Sequence, residues 1–169
     1  MKNFLFILFL FPLLTSCQTE KAVVSKYSAH VGDITFDEKI DDPKFKRCLS
    51  EDFGIQYYND SQGFQYKGEK ISIEEKLKSL NIEGDKKLKG YITVRFLVNC
   101  DGKSGLFRVQ QMNQEYKETD ADKELTDQLL IFTKNLNGWI PKKLDGKKVD
   151  YYQYLTYKIE NGKVSEILP

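Results

Sequence analysis

Hydrophobic and polar positions along this chain follow two periods. The segment Tyr91-Ile92-Thr93-Val94-Arg95-Phe96-Leu97-Val98 puts Ile92, Val94, Phe96 and Val98 on one face. That is the period of a strand with one buried side. Asp101-Gly102 follows, a preferred turn dipeptide, and a return strand is predicted from Leu106 to Met112. Leu125, Leu129, Phe132 and Leu136 recur at helical spacing, which predicts a major helix over 121–136. Thr119 with Asp122 is read as its capping box, and Asn137-Gly138 as its stop. A last long strand is predicted from Val149 to Ile159. It has Val149, Tyr151, Leu155, Tyr157 and Ile159 on one face and Asp150, Tyr152, Tyr154, Thr156 and Lys158 on the other. Asn161-Gly162 then turns into a short strand, Val164 to Ile167.

Upstream signals are weaker. Ser72 with Glu75 has capping-box spacing, and Ile73, Leu77 and Leu80 form an apolar stripe, so a helix is predicted there, ending near Gly84. Ile55-Gln56-Tyr57-Tyr58 and Phe64-Gln65-Tyr66 flank an Asn/Asp/Gly-containing loop and read as a small hairpin. Phe45, Cys48 and Leu49, with Pro43 near the start, read as a short helix over 41–52. The sum is an α+β fold, an antiparallel sheet with helices on one face. Residues 36–169 make one domain, without internal repeats.

The N-terminus has a different pattern. Lys2 precedes an apolar run from Phe4 to Leu14, and small residues then lead to Cys17. The tetrad Leu14-Thr15-Ser16-Cys17 resembles the lipobox of bacterial lipoproteins. The resemblance implies cleavage before Cys17, diacylation of its thiol and acylation of the new N-terminus. Residues 1–16 are then the signal peptide, and the lipid on Cys17 attaches the protein to a membrane. The competing readings are an ordinary signal peptide and a transmembrane anchor. Against the anchor, the run is shorter than the ~20 apolar residues a spanning helix needs, and Pro12 interrupts it. Residues 17–35 are mostly small, polar or charged and read as a tether.

Composition narrows the chemistry. The formal charge of +1 includes Lys2, so the chain from Cys17 sums to zero. No basic stripe points to nucleic acid. Ten tyrosines and 11 phenylalanines suffice for an aromatic core. Beyond Cys17, Cys48 and Cys100 remain; an oxidising compartment favours a disulfide between them, and two separate buried thiols are the alternative. A single histidine, His30, excludes triads and zinc sites that need more imidazole. No phosphate loop or calcium loop is present. The expectation is a non-enzyme without catalytic residues, metal or cofactor.

Residues 90–159 resemble the C-terminal domain of TonB and its many relatives in Bacteroidetes. The residues that carry the resemblance are Gly90 before a strand, the Asp101-Gly102-Lys103 turn, the helix over 121–136, Trp139-Ile140-Pro141, and Asp145-Gly146-Lys147-Lys148-Val149 before the last strand. The bland reading of Trp139, Pro141 and Gly146 is structural: a core plug, a helix stop and a turn. The chain departs from a TonB energy transducer in having a lipobox in place of a membrane helix. It also lacks a Pro-rich stalk, with only Pro43, Pro141 and Pro169 after Cys17.

The resemblance implies a module that binds an extended peptide by strand addition, as TonB pairs its last strand with a transporter's N-terminal peptide. Carried over, the contact residues are Tyr151, Tyr152, Tyr154 and Thr156, and the partner is an envelope protein such as a TonB-dependent transporter. The location is the cell envelope, lipid-anchored at the outer membrane, on its periplasmic face or its surface. Two alternatives stand beside this one: a structural or assembly lipoprotein using another surface, and a thiol enzyme or redox protein using Cys48 or Cys100.

Overall fold

The computed structural model describes residues 32–49, 54–58 and 62–168. Cys17, the signal segment and most of the expected tether lie outside them. The elements in chain order are β1 (Ile55–Gln56), α1 (Glu69–Lys78), β2 (Gly90–Val98), β3 (Ser104–Met112), α2 (Lys123–Lys134), β4 (Lys142–Leu144), β5 (Lys147–Val149), β6 (Tyr151–Glu160) and β7 (Lys163–Leu168). The main sheet runs β1-β6-β2-β3, with β7 also paired to β6. β2 is antiparallel to both β3 and β6, and β7 is antiparallel to β6. β1 runs parallel to β6. The fold is therefore α+β with a mostly antiparallel, mixed sheet. No helix among the described residues is long and apolar enough to cross a membrane.

The period-two face of β2 builds the core. Ile92, Val94, Phe96 and Val98 are buried together with Leu155, Tyr157 and Ile159 of β6. Both helices cover this face: Ile73 and Leu77 come from α1, and Leu125, Leu129 and Phe132 from α2. Burying each of these large side chains contributes about 1.5–3 kcal/mol. The Asp122 carboxylate caps α2 by accepting the Leu125 N–H at 2.9 Å.

Residues 32–49 form an arm over the opposite face. Ile34 is buried with Leu97, Leu106 and Tyr152, and Phe45 packs beside them. The folded part therefore reaches at least to Ile34, inside the segment expected to be tether. The expected helix over 41–52 is absent from its described residues, which are turns and bends. Their amides are committed elsewhere. Lys44 N–H donates to the Asp42 carboxylate, and Cys48 and Leu49 N–H donate to Asp150, so no i→i−4 ladder can form.

Other expectations shift for local reasons. Ile55-Gln56 does not pair with Phe64–Tyr66. It joins β6, while Tyr66 bridges Trp139. α1 starts at Glu69 after the left-handed Gly68, so Ser72 lies inside the helix and donates to the Lys67 and Glu69 carbonyls. Asp122, not Thr119, caps α2. The predicted strand from Val149 is interrupted at Asp150: β4 and β5 form a separate ribbon around Asp145-Gly146, and β6 begins at Tyr151.

Candidate functional site

β6 is an interior strand. Its even-numbered carbonyls face away from β2, and each has a partner. Ile55 N–H donates to the Asp150 carbonyl at 3.3 Å and Tyr57 N–H to the Tyr152 carbonyl at 2.9 Å. Beyond Gln56 there is a gap before β7 begins. There the Gln153 side-chain amide donates to the Tyr154 carbonyl at 2.9 Å. From Thr156 onward β7 takes over the pairing. The edge predicted to accept a peptide at Tyr151, Tyr152, Tyr154 and Thr156 is therefore closed by β1, by Gln153 and by β7.

The four side chains are also engaged. Tyr151 is buried on the helix side, and its hydroxyl donates to the Ile140 carbonyl at 3.1 Å. Burial pushes its phenol well above the usual tyrosine range. Tyr152 lies beneath the arm. Its hydroxyl accepts the Ile34 N–H at 3.0 Å and donates to Asp33 at 2.9 Å. Tyr154 is half-buried and donates to the Gln56 side chain at 3.1 Å. Arg95 sits over both rings, 4.4 Å from the centre of Tyr152 and 5.3 Å from that of Tyr154. Thr156 pairs hydroxyls with Thr93 across the strands at 3.0 Å. Of the four, only Tyr154 and Thr156 keep some exposure.

Cys48 and Cys100 form a disulfide, with Cα atoms 5.9 Å apart. Asp150, fully buried, clasps both ends. One carboxylate oxygen accepts the Cys48 and Leu49 N–H at 2.8 and 3.0 Å, and the other accepts the Cys100 N–H at 2.9 Å. The two sulfurs and the carboxylate lie within 4.8 Å of one another, a spacing a metal ion could use. Here the sulfurs are spent in the bridge and the carboxylate in three amide hydrogen bonds, so the cluster acts as a clasp for the arm. Sequence reading found the cysteine pair but missed Asp150. The signal was an acidic residue inside a long apolar strand pattern.

The motif residues hold structure. Trp139 is buried against Phe64, Tyr66 and Phe96. Gly138, beside it, leaves room for the Tyr66 ring, since a Cβ there would fall 2.6 Å from it. Gly90 abuts the Met112 carbonyl, where a Cβ would fall 2.2 Å away. Asp101 and Gly102 lie in a loop closed by Asn99, whose side-chain oxygen accepts the Asp101 and Lys103 N–H. Pro141 packs beside Gly102, and Gly146 takes a positive φ in the β4–β5 turn.

The open edge lies one strand further out. Among the described residues β7 pairs only with β6, apart from an isolated bridge between Lys163 and Glu83. The register pairs Lys158 with Glu166 and Thr156 with Leu168, so the backbone groups of Ile167, between them, point away from β6, although the residue itself is fully buried. A groove of about 200 Å³ runs between this edge and α1, with Leu77, Ile82, Val164 and Ile167 among its lining residues. An unpaired strand edge beside a groove of mixed polar and apolar lining supplies main-chain hydrogen bonds together with side-chain pockets. No family model, curated protein or solved structure matches the chain.

Proposed function

We propose that this chain is a lipid-anchored envelope protein that binds an extended peptide without catalysis, by adding it as a strand to the outer side of β7. The observation that carries this is the unpaired edge at Ile167 beside the groove lined by Leu77, Ile82 and Val164. The lipobox-like tetrad ending at Cys17 supports the anchor. Resemblance of residues 90–159 to the TonB C-terminal domain supports the mode of binding and points to an envelope partner, with a TonB-dependent transporter foremost. The outer membrane is the compartment this reading takes. Strand addition moves from the predicted site on β6 to β7 because β1 and β7 cover the outer side of β6 on either side of Tyr154.

The test is site-specific photo-crosslinking in native envelopes. A photoreactive residue at Ser165, on the open edge, is compared with one at Thr93 on the far face. The reading expects Ser165 to trap a transporter through an extended segment, and Thr93 to trap none. Ile82→Asp, checked for folding, should abolish the Ser165 adduct. Trapping from Thr93 instead would favour the structural or assembly reading. That alternative draws on the exposed Tyr116, stacked on Tyr91 with ring centres 5.0 Å apart. The anchor is tested separately: an alkyne fatty acid should label the wild type and not Cys17→Ala.

A further inference from the structure

A second cleft, of about 640 Å³, lies at the other end of the sheet, between the arm and the start of β3. Lys39, Lys44, Lys103 and Lys134 contribute to its walls, with Phe45 and Phe107 among its apolar lining. All four lysines are exposed. The cleft also contains two acidic residues, both engaged. Asp41 is held by two hydrogen bonds from Arg108, at 2.8 and 2.7 Å. Asp42 accepts the Lys44 N–H at 2.8 Å. Lys134 lies 5.5 Å from the centre of the Phe107 ring. Four lysines on three separate chain segments thus line a space with two carboxylates, of which Asp41 is paired with Arg108 and Asp42 keeps its charge.

The backbone adds direction. Val98 pairs with Ser104 and Leu97 with Gly105, and a bulge then follows before Arg108 pairs with Arg95. Among the described residues β3 has no strand on its outer side, apart from the Met112–Glu118 bridge far from the cleft. Arg108 caps the Phe107 carbonyl at 2.8 Å, so the edge here is guarded against an arbitrary strand. What the cleft offers is a concave basic wall with an apolar lining. A flat membrane surface would meet the exposed lysines and Ile40 more readily than the half-buried Phe45 and Phe107. An acidic segment carrying apolar side chains would meet both.

We propose that this cleft is a docking site for an acidic, extended peptide segment of a protein partner, distinct from and independent of the β7 edge. The excess of positive charge, four lysines against Asp42 and the Arg108-paired Asp41, steers an anionic ligand, while Phe45 and Phe107 receive its apolar side chains. Binding is then strongly salt-dependent.

The test uses the mature lipoprotein in neutral detergent and a fluorescein-labelled peptide alternating glutamate and isoleucine. A peptide alternating lysine and isoleucine is the control, and the readout is fluorescence anisotropy. The acidic peptide should bind, the basic one should not, and affinity should fall at least tenfold between low and physiological salt. Lys103→Glu with Lys134→Glu should weaken binding at least tenfold. Folding of this pair is checked by Trp139 fluorescence, and Ile82→Asp at the β7 groove should leave the affinity unchanged. No binding, equal binding of both peptides, or undiminished binding by the charge-reversed variant would overturn the proposal. Binding to anionic vesicles with none to the acidic peptide would overturn it too, and would assign the lysines to a membrane surface.

Discussion

Arg95 sits over the Tyr152 ring, its guanidinium carbon 4.4 Å from the ring centre, and donates a hydrogen bond to the Gly32 carbonyl. This pair joins the sheet to the arm. The Tyr152 hydroxyl completes the join through Ile34 and Asp33. Tyr152→Phe keeps the ring and removes only those two hydrogen bonds. It leaves the buried Ile34 N–H without its acceptor, a loss of about 1–3 kcal/mol. Urea unfolding should show the lower midpoint, and amide exchange at Ile34 should quicken. Unchanged exchange at Ile34 would mean that the arm is held by other contacts.

Asp150 and the Cys48–Cys100 bridge fix the other end of the arm. The bridge spans 52 residues of sequence, for which the chain-entropy model gives about 4 kcal/mol of stabilisation. Reduction should lower the unfolding midpoint accordingly. Asp150→Ala strands three amides at once and should cost about 3 kcal/mol or more. In the Cys48→Ala/Cys100→Ala background Asp150→Ala should still destabilise, because the carboxylate also holds the Leu49 N–H.

Gly138→Ala tests the aromatic plug around Trp139. The added Cβ would lie 2.6 Å from the Tyr66 ring, and overpacking of this kind costs about 1–3 kcal/mol. The melting temperature should fall by several degrees, with a change in Trp139 fluorescence. A neutral result would show that Tyr66 can move aside.

Much of this architecture is readable in the residues, and the failures share a cause. β2 and α2 carry long, regular apolar periods whose burial is decided locally, so both elements appear where expected. The cysteine pair was legible from its count, given the expectation of an oxidising compartment. The segments over 41–49 and 55–66 carry short apolar patterns that fit several structures, and long-range partners chose among them: Asp150 for one, β6 and Trp139 for the other. The strand expected to bind a peptide, β6, appears as a strand, but its place in the sheet was not legible. Alternation shows which face of a strand is buried and says nothing about which edges are filled. Only the register of β1 and β7 on β6 reveals that the Tyr152 carbonyl is paired and that the backbone groups of Ile167 point away from β6.

Stability should fall at both ends of the pH range. Burial raises the phenol pKa values of Tyr151 and Tyr157 above their ordinary value of 10.0. Their contribution is complete below pH 10 and is lost as pH rises through the folded values. Burial pushes the Asp41 carboxyl up, but hydrogen bonds from Arg108 and the Asp37 N–H outweigh it and hold the group below its ordinary 3.8. That contribution is present above the ordinary value and disappears as pH falls through the lower, folded one. Unfolding midpoints measured across pH should decline above 10 in the wild type. Asp41→Asn, already without the charge, should show a shallower acid limb than the wild type.

Residue-resolved amide exchange of β7 tests the central claim most directly. The Ile167 N–H faces outward with no strand beside it. Its exchange rate in the free protein is the reference, because the residue is buried and its amide has no strand partner. Synthetic N-terminal peptides from TonB-dependent transporters of the same envelope would then be added in turn. The account predicts that a binding peptide slows Ile167 exchange at least tenfold and leaves the β3 amides unchanged. Binding that leaves Ile167 unprotected, or failure of every peptide to bind, would contradict strand addition at this edge.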